Sequence, residues 1–356
     1  MTEATVRARS ILFVPFPAHG HVNPLLPVVS ELVDRGAEVE VIVSDRFTAP
    51  FRAAGARVRT TSFDVRVRVP EWPGPIWAAR YGWELLRRHR SGRGLDSCGD
   101  APPDLAVIDP MATWGTTWAR RRGLRWIPLH TTRVRRAGSA DALIAVLPEL
   151  QSNADRLPAN QVCTGPLLRP VTGDMARDMD LPWHRIEEGP TVLVSPGTVY
   201  ARRPRFFAAV ADAFAGTDWL VVMSTGPTGG AGEMSLPPNV IARPHLPQLA
   251  VLEHADAFVT HAGMNSVQEA LAYAVPMVLT PRSREQRDTA ARIVELGAGV
   301  PLRGHTPRPA DVFAAVTTAS SDPSIRANLN RLQRRVRAIP SAALAATTIL
   351  RLAGRQ

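Results

Sequence analysis

Apolar positions along this chain come in short runs separated by polar turns. ILFVPFP (11–17) is a continuous strand-length run, and PLLPVVSELVDRG (24–36) reads as a helix with Pro24 near its first turn and Gly36 just past its end. EVEVIVS (38–44) alternates with period two, and ARVRTTSF (56–63) follows as a third strand. DLAVID (104–109) predicts a buried parallel strand, WGTTWARRRG the helix after it, and RWIPLH (125–130) the next strand. The scheme repeats from Thr191. TVLVSPGT, WLVVMST, NVIARPH, AFVTH and PMVLTP predict strands, and PRFFAAVADAFAG, GMNSVQEALAYA and EQRDTAARIVELG predict helices. Strand–helix alternation of this kind predicts an α/β protein with open parallel sheets covered by helices on both faces. The stretch 165–190 is rich in Pro, Gly and Asp and suits an exposed linker. The expected organisation is therefore two Rossmann-like, doubly wound domains, residues 1–170 and 171–340, facing each other across a cleft. The tail, residues 341–356, is a helix whose apolar face needs a partner and is expected to return to the N-terminal domain.

Composition narrows the function. A chain of 356 residues is longer than one core usually serves. Apolar residues make up 45% and charged residues 21%, as in an ordinary globular protein. No uncharged apolar run is long enough to span a bilayer, and MTEATVRARS lacks the apolar core of a signal peptide, so a cytoplasmic protein without a transmembrane segment is expected. Cys98 and Cys163 are too few for a disulfide scaffold or a four-cysteine zinc site. Net charge is +10, and every basic residue is arginine. Between Arg66 and Arg136 fourteen arginines face six acidic residues. No zinc-finger spacing, RNA-binding signature or aromatic interleaving accompanies them, so no nucleic-acid partner is expected and the arginines are read as a solvated or anion-facing surface.

In doubly wound sheets, ligands meet the carboxyl ends of the strands. The chemistry-bearing residues fall there: His19, Asp109, Ser195, His245, His261 and Glu285. HAGMNSVQEAL (261–271) is the strongest local signal. Gly263 allows a tight strand-to-helix turn, and Asn265 and Ser266 lie at the helix start, where they either cap it or serve an anion. The free N–H groups and the positive helix end make a diphosphate site, with His261 as an added donor. SPGT (195–198) offers a second turn of hydroxyl and N–H donors. In PHLPQLAVLEHAD (244–256), His245 is placed to stack on a nucleobase and Gln248 to bond its edge. In PRSREQ (281–286), Glu285 and Gln286 suit vicinal sugar hydroxyls, or else an acidic helix N-terminus.

The order and spacing of these pieces resemble the GT-B fold, nucleotide-sugar-dependent glycosyltransferases, the large family that holds macrolide and other natural-product glycosyltransferases and UDP-glucuronosyltransferases. VSPGT, LPQLAVLEHADAFVTHAGMNSVQEAL, VPMVLTP and EQ come in family order over residues 191–302, and VPFPAHGHVNPLLPVVSELVDRG and PDLAVIDP match in the first half. The resemblance implies an acceptor-binding N-terminal domain and a nucleotide-sugar-binding C-terminal domain. It implies that His19, the first histidine of AHGHVNP, is the general base, with Asp109 bonded to its other ring nitrogen, while His21 bonds locally in the turn. It implies inversion at the anomeric carbon without a metal or other cofactor. The donor set it implies is Ser195, Gly197, Thr198, His245, Leu246, Gln248, His261, Gly263, Met264, Asn265, Ser266, Glu269 (a ribose contact), Glu285 and Gln286.

The chain departs from the family in two ways. His245 stands where a tryptophan is usual, which leaves UDP- and dTDP-sugars both open, although Glu285–Gln286 favours UDP-glucose or a close relative. The span from Asp109 to Gly165 is only 56 positions, and 63–103 is short too. These segments normally wall the acceptor pocket, so a shallow, open site is expected, for a small-molecule or carrier-bound acceptor that is large, flat or anionic. Two rival readings stand beside this one. A nucleotide-dependent oxidoreductase lacks its G-x-G-x-x-G after a strand. A catalytically silent or partner-dependent nucleotide-sugar-binding protein is set against the retained His19 and Asp109.

Overall fold

Ile11 and Phe13 alternate with Leu12 and Val14 along the first strand, and all four are buried. A strand apolar on both sides can only lie inside a sheet covered on both faces, and this dictates the architecture. The computed structural model describes residues 8–61, 102–135, 138–169, 180–197, 204–226, 235–304 and 306–355. Outside these fall Thr198, Cys98, Arg136, nearly all of the short segment 63–103, and residues 170–179 of the expected linker. The chain divides into two compact units. Among the described residues the first takes the chain up to Arg169 and again from Ile339, and the second takes what lies between.

The first unit runs β1 (Ser10–Val14), a one-turn helix α1 (His19–Val22), α2 (Leu25–Asp34), β2 (Glu38–Val43), α3 (Thr48–Ala53), β3 (Arg57–Thr60), β4 (Leu105–Ile108), α4 (Thr113–Arg121), β5 (Trp126–His130), β6 (Ala142–Ile144) and β7 (Gln161–Cys163). Its seven strands are all parallel, in the order β3-β2-β1-β4-β5-β6-β7. Ile11, Phe13, Val41, Val107 and Leu129 pack on one face with Val28, Val29 and Leu32 of α2. Leu12, Val14, Ala106 and Ile108 pack on the other with Trp114 and Trp118 of α4. The edge strand β3 is guarded by arginines, of which Arg59 pairs with Glu40. Charge at an edge discourages pairing with another chain. Cys163 at the opposite edge is a free thiol whose pKa burial pushes up to about 11, so it stays protonated at neutral pH.

The second unit holds α5 (Trp183–Glu188), β8 (Thr191–Ser195), α6 (Pro204–Phe214), β9 (Leu220–Ser224), β10 (Val240–Arg243), α7 (Gln248–Leu252), β11 (Ala257–Thr260), α8 (Met264–Ala272), β12 (Met277–Leu279), α9 (Arg284–Glu295), β13 (Gly299–Pro301), α10 (Pro309–Ser321) and α11 (Pro323–Ala338). Its parallel sheet is ordered β10-β9-β8-β11-β12-β13. Phe206, Phe207, Val210 and Phe214 of α6, with Val312 and Val316 of α10, cover Val192, Val194, Val221 and Val259.

The last helix, α12 (Ser341–Ala353), belongs to the first unit. Ala345, Ala346, Ile349 and Leu352 complete the core beside α2. Arg35 donates to Thr347 Oγ1 at 2.7 Å. Arg125 donates to Leu352 O at 2.9 Å and to Arg355 O, so a cation meets the carbonyl end of the helix, where its dipole favours one. The run Pro323–Ala353 is long and apolar enough to match a membrane span by composition. Pro340 separates α11, which carries five arginines, from α12, whose apolar face is buried in this core.

Because Ile349 is fully buried under α12, Ile349→Ala is expected to cost about 2–5 kcal/mol in denaturant unfolding. Thr347→Ala, on the exposed side of the same helix, is expected to cost under about 1 kcal/mol. Equal effects would show that α12 is not held by its apolar face.

Candidate active site

The candidate residues gather into two groups, one in each unit. In the first unit, β4 ends at Ile108 and delivers Asp109 at the carboxyl edge of the sheet. Asp109 is buried, and both of its oxygens are engaged. Oδ1 accepts from the Met111 N–H at 2.8 Å. Oδ2 lies 2.7 Å from His21 Nδ1. The partner of Asp109 is therefore His21 and not His19, which corrects the expected pairing.

The geometry of α1 explains the difference. Residues two apart on a helical turn point about 200° away from each other, so His19 and His21 cannot serve the same carboxylate. The His21 ring meets Phe16 edge-on at 5.3 Å, and Phe16 in turn meets Trp114 at 5.9 Å. The His19 ring meets Phe47 edge-on at 5.0 Å, and Phe47 also carries the Arg46 guanidinium 4.5 Å from its centroid. Arg46 donates to Pro17 O at 2.6 Å and ties this group back to the turn.

An ionised carboxylate only accepts, so Nδ1 of a neutral His21 is the protonated nitrogen and Nε2 carries the lone pair. His21 is 17% exposed by its side chain against 4% for Asp109, so the ring reaches the surface while its partner does not. The Thr131 hydroxyl lies 3.2 Å from the same Nδ1. His130, the residue before it, is half-buried. Burial lowers the pKa of His130, against the opposing pull of the Asp109 charge. Met111, 47% exposed, is one of two large apolar side chains that stand out to solvent among the described residues. Sequence reasoning missed Thr131, His130 and Met111. Their only signal was position, directly after or at the end of β4 and β5.

In the second unit, β11 ends at Thr260 and turns through His261, Ala262 and Gly263 into α8. Ala262 is buried with φ 59°, a left-handed conformation that a side chain adopts only at a cost of about 1–2 kcal/mol. Gly263 is the N-cap of α8, and no side chain caps the helix. Asn265 and Ser266 lie inside the first turn, so plain capping by them is excluded and the N–H groups of that turn have no side-chain cap. Met264 is buried and offers only its backbone. Gly197, at φ 84° after buried Ser195, closes on the same ring. A Cβ on Gly197 would stand 2.6 Å from His261 Cε1 and Nε2, and one on Gly263 would clash with Nε2 as well. Both positions therefore need glycine if the ring is to stay where it is.

Gln248, the first residue of α7, donates from Nε2 to Ser266 Oγ at 3.2 Å and to Glu269 Oε2. Three expected donor residues are thus joined. His245 and Leu246 lie just before them, with His245 exposed. Gln286 also has a structural role. It is buried, and it forms a capping box with Ser283 at the start of α9. Its Oε1 accepts from Arg282 N at 2.8 Å and Ser283 N at 3.1 Å, so this carbonyl serves the start of the helix. Glu285 beside it is half-buried in the first turn.

Residues 183–345 match the family described as UDP-glucoronosyl and UDP-glucosyl transferase. The 4'-demethylrebeccamycin synthase of Lentzea aerocolonigenes is 31% identical over 91% of this chain and 94% of its own length. An NDP-glycosyltransferase of Bacillus subtilis (strain 168) is 28% identical over 95% of this chain and 96% of its own. The crystal structure of the glycotransferase of kitacinnamycin superposes with a TM-score of 0.80 at 27% identity, covering 97% of this chain and 99% of that one. With two parallel α/β units, a histidine–aspartate pair at one sheet edge and an uncapped helix start at the other, the chain belongs to this glycosyltransferase family and has its GT-B fold.

Proposed function

We propose that the protein is an inverting glycosyltransferase that moves a hexose from a nucleoside diphosphate sugar to a hydroxyl of a natural-product acceptor, with His21 as general base. The observation that carries this reading is the 2.7 Å contact between His21 Nδ1 and the buried Asp109 carboxylate. Asp109 holds the tautomer that leaves Nε2 basic, and it stabilises the imidazolium once the acceptor proton has moved there. The freed oxygen attacks the anomeric carbon, and the bond to the nucleoside diphosphate breaks. The first turn of α8 and His261 receive the charge that develops on the leaving diphosphate, so no metal is required for it.

The donor residues divide the remaining work. Glu269, held by Gln248, faces the ribose, His245 stacks on the base, and Glu285 takes sugar hydroxyls. The description of the matched family supports a UDP-sugar, with UDP-glucose favoured. The acceptor class is supported by the relative named for rebeccamycin chemistry and by the kitacinnamycin enzyme.

His21→Ala and Asp109→Asn are expected to lower turnover by about 10²–10⁴-fold with UDP affinity unchanged. His19→Ala is expected to keep turnover within a few-fold, because His19 packs on Phe47 and does not touch Asp109. Initial rates and UDP calorimetry on the three variants decide it. Loss of turnover in His19→Ala alone would return the base to His19.

On the donor side, His261→Ala is expected to weaken UDP binding by about 1.5–3 kcal/mol, roughly tenfold to hundredfold. Gly263→Ala is expected to weaken it comparably while the protein stays folded, since its backbone suits alanine and only the His261 ring must move. UDP affinity within twofold of wild type in Gly263→Ala would remove His261 from the diphosphate site. Chelation by EDTA is expected to leave turnover intact. Loss of activity that a divalent ion restores would contradict the metal-free reading.

A further inference from the structure

The Thr131 hydroxyl touches the His21 ring, and the proposed chemistry gives it no task. Its Oγ1 lies 3.2 Å from Nδ1, the same nitrogen that Asp109 Oδ2 meets at 2.7 Å. The two partners are carried by neighbouring strands. β4 and β5 pair in parallel with Ile108 opposite Pro128, so Asp109 stands level with Leu129. Thr131, two positions beyond Leu129, turns to the same face of the sheet. The strand that delivers it is held on its other side too, by pairing with β6, and the His130 carbonyl accepts from Ala145 N at 2.8 Å. Thr131 is only 3% exposed. Among the described residues, His21 Nδ1 is the one hydrogen-bond contact of its hydroxyl.

A neutral His21 with its proton on Nδ1 has one hydrogen to share between these two oxygens. The shorter bond goes to the carboxylate and is the stronger, because its acceptor is charged. The longer one adds direction. With a bond to Asp109 alone, the ring can pivot about Nδ1 and swing Nε2 through an arc. A second contact at the same nitrogen, from a different strand, opposes that swing. Thr131 meets the ring at Nδ1 and leaves Nε2 to the acceptor, so it acts on the reaction only through His21.

We propose that Thr131 is a positioning residue. Its hydroxyl oxygen accepts the second, weaker branch of the Nδ1–H hydrogen bond and, together with Asp109, fixes the direction from which Nε2 meets the acceptor hydroxyl. This inference rests on the reading of His21 as base.

The test measures initial rates with UDP-glucose and a phenolic acceptor that the wild type glucosylates. Thr131→Val keeps the branched shape without the hydroxyl. It is expected to lower kcat about tenfold while KM for UDP-glucose and UDP affinity hold, since a small misplacement of a reacting group costs rate and not donor binding. Thr131→Ser, which keeps the hydroxyl, is expected to recover most of that loss. The decisive readout is coupling. In a His21→Ala background there is no ring to hold, so adding Thr131→Val is expected to change the residual rate by less than twofold. A kcat within twofold of wild type in Thr131→Val overturns the proposal. So does a loss that serine does not restore, or an equal loss with and without the His21 ring, which marks a structural role. His21→Ala alone keeps the two readings apart. Near-normal turnover there refutes the base, whereas a severe loss there with an active Thr131→Val refutes only the positioning.

Discussion

The Asp109 carboxylate sits at the end of a fully buried strand with both oxygens taken, one by the Met111 N–H and one by the His21 ring. A buried charge is tolerable only when it is bonded this fully. Its position follows from the sheet. β4 is covered on both faces, so Leu105 to Ile108 must be apolar, and the first residue that can carry charge is the one where the strand runs out. The backbone N–H of Asp109 still bonds Val14 O at 3.0 Å, so the carboxylate is carried by the sheet ladder itself. The strand neighbours on either side supply what surrounds it: β1 leads to the turn with His21, and β5 ends in His130 and Thr131. One carboxylate thereby orients one imidazole, and its charge reaches another.

Much of this was legible in the sequence, because burial on both faces writes itself as continuous apolar runs. Strands such as Ile11–Val14 and Ala257–Thr260 and the helix after Gly263 were readable for that reason. The strands β6, β7 and β13 were not. Each has three residues, too few to show a period, and is recognised as a strand only through its partner. The turn from β11 into α8 was also readable, since a glycine before a helix start is a local pattern.

The histidine that partners Asp109 was not a local matter. His19 and His21 lie in the same turn, and sequence alone does not say which ring faces a carboxylate 88 positions away. The answer depends on a single turn of helix, α1, too short to announce itself by periodicity. Once the turn forms, Phe47 is available to one ring and Asp109 to the other. The capping role of Gln286 was overlooked as well. Ser283 and Gln286 have the spacing of a capping box, and the hydrogen bonds to Arg282 N and Ser283 N show that it forms.

The two units fix an imidazole by different physics. His21 is held by a carboxylate that orients it and selects its tautomer. That suits the base role proposed for it, in which the ring changes protonation state. His261 is held by shape: Gly197 and Gly263 leave room for it on two sides, and Ala262 accepts a strained left-handed backbone so that the turn can present it. The role proposed for His261, donating to a diphosphate, asks for a fixed position and not for a change of protonation state. The backbone strain at Ala262 is the cost of that arrangement, and it falls at the turn that leads into the uncapped start of α8. A diphosphate bound there would supply acceptors for the N–H groups that no side chain caps.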